Sequence, residues 1–93
     1  MSTLTGTYET PHASKYLQQL CKHFGHKIET EFTETEGTCH FDMGPAYLTA
    51  DDRQLKVRFE LGDPASEEAA RDVIDRHLAN FAFREEFSGM NWH

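Results

Sequence analysis

Six histidines and two cysteines in a chain of 93 residues are the side chains with most chemistry to offer, and they are unevenly spread. Cys21-Lys22-His23-Phe24-Gly25-His26-Lys27 sets a thiol, two imidazoles and two ammonium groups in one short run. Cys39-His40 follows in a later segment, and His77 and Arg84 lie nearer the C-terminus. Lys and His together beside a helix end suit a carboxylate, a phosphate or a chelated metal. A metal held by the protein alone fits less well, because no C-x-x-C pair or H-E-x-x-H spacing is present. On a regular helix His23 is turned ~200° from Cys21, so thiol and imidazole do not converge. Nucleophilic catalysis needs a thiolate steadied by a cation or a helix N-terminus. Cys21 falls near a helix C-terminus, and Cys39 and His40, as strand neighbours, point to opposite faces. No catalytic residue, metal ligand or cofactor is therefore expected, and both cysteines read as reduced, buried thiols.

The elements that must position these groups follow from periodicity. Thr3 to Thr10 is rich in β-branched residues and predicts a first strand ending at Pro11. Ala13, Tyr16, Leu17, Leu20, Cys21 and Phe24 recur at helical spacing and predict a helix stopped by Gly25. Ile28 to Thr35 and Thr38 to Met43 predict a hairpin turning at Glu36-Gly37, with a further break at Gly44-Pro45. Ala46 to Ala50 leads to Gln54 to Leu61, where Leu55, Val57, Phe59 and Leu61 alternate with polar residues, one face dry and one wet. After Gly62-Asp63-Pro64 a second helix begins at Ser66-Glu67-Glu68 and carries Ala70, Val73, Ile74, His77, Leu78 and Phe81 on one stripe. The order β-α-β-β-β-β-α predicts an α+β fold: an antiparallel sheet with both helices packed on one face. One domain over residues 1–93 is expected from the length, its tail 82–93 docked through Phe87, Met90 and Trp92 on the domain or on a second subunit.

Charge narrows the partners. Residues 1–27 hold Lys15, Lys22 and Lys27 against the single Glu9, a balance of +2. The rest holds six basic against fifteen acidic residues, a balance of -9, which gives the net -7. An acidic body repels nucleic acid and anionic membrane, so neither is an expected partner. The N-terminus has no basic, apolar leader and no stretch approaches the ~18 apolar residues of a membrane span, so a soluble, cytoplasmic protein is expected. His77, on the apolar stripe of the second helix, reads as a core or boundary histidine or as a pocket group, and Arg84, just past the stripe at Phe81, as the partner of an acid or a group turned toward a pocket. Glu29, Glu31, Glu34 and Glu36 alternate at strand spacing and read as a solvated edge.

Leu20-Cys21-Lys22-His23-Phe24-x-His26-Lys27 and His77-Leu78-x-x-Phe81-Ala82-Phe83-Arg84-Glu85 resemble the motifs of a bacterial family of small proteins, domain of unknown function 2218. The resemblance also takes in Tyr16-Leu17, the Gly37 turn and the strand Leu55 to Leu61. It implies a β-α-β(4)-α sandwich of the helix-grip or TATA-box-binding-protein-like kind. Relatives attached to siderophore-interacting flavin reductases imply a context of iron uptake.

Together these readings point to a binding module without catalysis, holding a small anion or an anionic iron chelate in a cleft between the first helix and the sheet. Its expected ligand-binding residues are Lys22, His23, His26, Lys27, His77 and Arg84. The alternative is a protein-interaction or homodimerisation module built on the tail; a metal- or thiol-dependent enzyme ranks third.

Overall fold

The computed structural model describes residues 2–85, 87 and 89–93. Strand β1 (Ser2–Glu9) leads to helix α1 (Ala13–Phe24), then β2 (Thr30–Phe32), β3 (Glu36–Phe41), β4 (Gly44–Ala50) and β5 (Gln54–Leu61). Helix α2 (Glu67–Phe81) and strand β6 (Asn91–Trp92) complete the order. The strands form one six-stranded sheet in the order β2-β3-β4-β5-β1-β6, antiparallel at every pairing. Both helices pack on one face of it, so the fold is α+β in the predicted arrangement, with β6 as an addition. No helix among the described residues is long and apolar enough to cross a membrane.

Alternation does what the sequence promised in β5: Leu55, Val57, Phe59 and Leu61 are fully buried against the helices. On α1 the predicted stripe of Ala13, Tyr16, Leu17, Leu20, Cys21 and Phe24 is buried throughout. Each large side chain moved from water in this way contributes roughly 1.5–3 kcal/mol, which anchors α1 over the middle of the sheet.

The boundaries at two glycines differ from expectation, each for a local reason. The hairpin turns at Thr33 to Thr35, not at Glu36-Gly37, because the Thr33 hydroxyl accepts the amides of Thr35 (3.3 Å) and Glu36 (3.2 Å) while its own amide donates to the Glu36 carbonyl (2.7 Å). Gly37 therefore lies inside β3, where a Cβ would sit 2.8 Å from Cys21 Sγ; the glycine serves the close approach of helix and strand, not a turn. Gly44 opens β4 at φ +137°, with the Glu60 carbonyl occupying the space a Cβ would need. Helix α2 is preceded by a 3₁₀ turn, Pro64–Ser66, capped by the Asp63 carboxylate accepting the Ala65 amide at 2.9 Å.

The tail forms a 3₁₀ turn, Phe83–Glu85, and then β6, whose Trp92 pairs with Gly6 of β1. A Cβ on Gly6 would lie 2.6 Å from the indole, so this glycine seats the ring. Both oxygens of Asp75 on α2 are used here, one by the Met90 amide at 3.0 Å and the other by Trp92 Nε1 at 2.9 Å. Phe87 packs edge-on against Tyr8 at 4.8 Å between ring centroids.

Candidate functional site

The C-terminal end of α1 and the middle of α2 meet over an unfilled space. His23 and Phe24 come from the last turn of α1, Lys27 and Ile28 from the chain after it, Phe41 from the end of β3, and Val73, Arg76 and His77 from one face of α2. They enclose a cavity of about 280 Å³. The helices deliver these groups because His23 lies off the stripe that faces the sheet, while Val73, Arg76 and His77 are three and four residues apart on α2.

Rings line much of the cavity. The His23 and His77 centroids are 4.6 Å apart, Phe24 lies 5.1 Å from His77, and Phe24 meets Phe41 at 5.0 Å in an edge contact. His23, Lys27, Arg76 and His77 supply the polar part of the lining. His77 Nδ1 lies 2.6 Å from the Val73 carbonyl, to which it donates, so Nε2 is left as an acceptor on the neutral ring and a donor on the cation. Burial of its ring, followed by repulsion from His77, His26 and Lys27, lowers the His23 pKa below its ordinary 6.5. At pH 7 His23 is accordingly neutral, and the fixed positive charge comes from Lys27 and Arg76.

Of the six residues singled out in the sequence, His23, Lys27 and His77 meet at this cavity. Lys22 is exposed on α1, and His26 is exposed in the turn beyond it, its charge still felt by His23. Arg84 is exposed in the turn after α2, its guanidinium 5.7 Å from the Phe83 ring centroid, and does not line the cavity. Nor does the space lie between α1 and the sheet, where Leu17, Leu20 and Cys21 are fully buried and leave no room. It lies between the last turn of α1 and the middle of α2. Arg76 escaped notice in the sequence because a charged residue on a helix is solvated by default; its spacing of three from Val73 was the available signal.

A second polar cluster sits at the opposite end of α1. The Glu85 carboxylate accepts the hydroxyls of Thr10 (2.8 Å), Tyr8 (3.1 Å) and Tyr16. Burial alone would raise the Glu85 pKa, but the bonds from Tyr16, Thr10 and Tyr8, with His12 nearby, outweigh it and lower the value. Burial and then the bond to Glu85 push the tyrosines up. With its acceptors occupied, this cluster ties the tail to β1 and α1 and has little left for a ligand. A larger hollow of about 650 Å³ beside Pro11 is an open bend lined by Glu9, Asp51 and Asp52, and Asp51 is engaged with the amides of Arg53 and Gln54 at 2.8 Å each. Among the described residues no three or more His, Cys, Asp or Glu groups are placed to hold a metal ion.

The profile of a family described as "Uncharacterized protein conserved in bacteria (DUF2218)" matches residues 5–93. The NMR structure of PA4090 from Pseudomonas aeruginosa superposes with a TM-score of 0.81 at 29 % sequence identity, over 100 % of this chain and 96 % of that one. No curated protein matches the chain. Neither description names a ligand, an activity or a siderophore reductase.

Proposed function

The chain belongs to this uncharacterised bacterial family, and from that premise we propose that it is a binding module for a small organic anion, held between α1 and α2. One observation carries the reading: His23, Lys27, Arg76 and His77 converge on a cavity whose remaining lining is Phe24, Ile28, Phe41 and Val73. An apolar floor with a few convergent polar groups is the usual make-up of a small-molecule site. Lys27 and Arg76 would pair with the ligand's charge, and His77 Nε2 would meet a second polar atom, while the rings take its apolar body.

Volume favours the smaller of the two ligand classes. At about 280 Å³ the cavity falls just under the ~300–1,000 Å³ of drug-sized sites, so a compact carboxylate fits and an anionic iron chelate, a bulkier group, would remain largely outside. In the tail, Met90 is buried and Phe87 and Trp92 rest on the chain's own β1 and α2, which leaves less apolar surface there for a partner, although Phe83 is exposed.

An NMR titration with benzoate and butyrate, with benzyl alcohol as the uncharged control, tests this. The two carboxylates should shift the amides of His23 to Ile28 and Val73 to His77, benzyl alcohol should act more weakly, and a Lys27→Ala/Arg76→Ala variant should lose the response. Shifts elsewhere, or equal shifts with the alcohol, would sink the proposal.

A further inference from the structure

The buried thiols support an inference that does not depend on the cavity. Cys21 of α1 and Cys39 of β3 are both fully buried and free, and their sulfur atoms are 3.8 Å apart. The pair lies between α1 and β3, at the point where Gly37 leaves space for Cys21 Sγ. A disulfide has its sulfurs ~2.05 Å apart, so the two must move closer by about 1.8 Å, through side-chain rotation and a shift of α1 toward β3. We propose that Cys21 and Cys39 form an oxidisable dithiol, converted by hydrogen peroxide into an intramolecular disulfide that staples α1 to β3.

The Cys21 thiolate attacks one peroxide oxygen, the O–O bond breaks, and the departing hydroxide takes up a proton to become water, leaving a sulfenic acid. Cys39 sulfur then attacks the Cys21 sulfur, the S–O bond breaks, and the second oxygen leaves as water with the Cys39 proton. Two thiols and one hydrogen peroxide thus give one disulfide and two waters; each sulfur loses one electron and the two peroxide oxygens together gain two. The order of attack follows from the hydrogen bond between the sulfurs, which favours the thiolate at Cys21 and, with burial, disfavours it at Cys39. Peroxide would reach the pair through local opening, for which the three-residue β2, pairing Thr30 with Cys39, is the short element beside it. The staple would hold the last turn of α1, and with it His23 and Phe24.

The test uses the full chain, folded, exposed to hydrogen peroxide, quenched with catalase, then denatured, alkylated with iodoacetamide and digested with trypsin. Peptides 16–22 and 28–53 should appear joined and unalkylated, with the unfolding midpoint raised by roughly 10 °C and restored by dithiothreitol. Cys39→Ser should stop at a sulfenic acid on Cys21, trapped by dimedone, whereas Cys21→Ser should leave Cys39 unreactive. Both thiols still open to alkylation, either one over-oxidised alone, or linkage between chains would overturn the proposal.

Discussion

The two ends of α1 hold polar clusters of similar size in opposite condition. At the N-terminal end, Glu85 accepts three hydroxyls, and Thr10 and Tyr16 are almost completely buried. At the C-terminal end, His77 has one ring nitrogen engaged and the other free, and Lys27 and Arg76 stand beside a cavity with no carboxylate among its lining residues. Buried polar atoms that find partners within the chain contribute to folding; exposed ones held loosely, as Arg76 is by Asp72 at 3.9 Å, can exchange that partner for a ligand. The difference therefore separates a structural cluster from a site, although both contain aromatic rings and titratable groups. Helix α1 has no acid in its own first turn, and the tail supplies Glu85 beside that end instead.

Substitutions can break this distinction, and the largest effect belongs to the filled cluster. Glu85→Ala should destabilise the protein by about 2–4 kcal/mol in urea unfolding, because it strands buried hydroxyls, while leaving carboxylate binding at the far end intact. Tyr16→Phe should cost about 1 kcal/mol. At the cavity the pattern reverses. Lys27→Ala and Arg76→Ala should each weaken benzoate binding about 10-fold, about 1.4 kcal/mol, with stability within ~0.5 kcal/mol of the parent.

Acidity should sharpen the contrast, since the two clusters titrate in different windows. His23 is lowered from 6.5, so the unfolded chain takes up its proton first and stability declines as pH falls from about 6.5 through the folded value. Anion binding strengthens over the same interval, because the protonated ring adds positive charge. Glu85 is lowered from 4.5, so its contribution is complete above that pH and is lost on further acidification. Tyr8 and Tyr16 are raised from 10.0, so stability falls again as pH climbs past 10. Thermal unfolding and benzoate titration between pH 4.5 and pH 7 should thus move in opposite directions. The smallest effect is assigned to Lys22→Ala and Arg84→Ala, which should change binding less than about twofold; a larger loss would extend the site beyond the cavity.

Much of the architecture was legible because it rests on period. The stripe from Ala13 to Phe24 and the alternation from Leu55 to Leu61 each demand one buried face, and the sheet follows from having to cover it. Gly37 misled because a glycine marks a turn and a close approach with the same letter, and only the packing of Cys21 against it distinguishes them. Strand β6 left no pattern, having two residues and owing its place to the seat of Trp92 on Gly6. Half of the site was visible in the His23 and Lys27 run and in His77. The cavity itself depends on how α1 and α2 come together, and the meeting of Cys21 with Cys39 on how β3 packs against α1; neither is a property of spacing along the chain.

The sheet is bounded by β2, with three residues, and β6, with two. Long open edges are templates on which other chains add strands, and borders this short give an incoming chain almost nothing to pair with. Removing residues 90–93 would leave β1, eight residues long, as the border, its Thr5 amide and carbonyl no longer joined to His93. Such a shortened chain should assemble with itself and elute early from a sizing column. Residues 90–93 would then guard against polymerisation, a duty separate from any ligand the two helices hold.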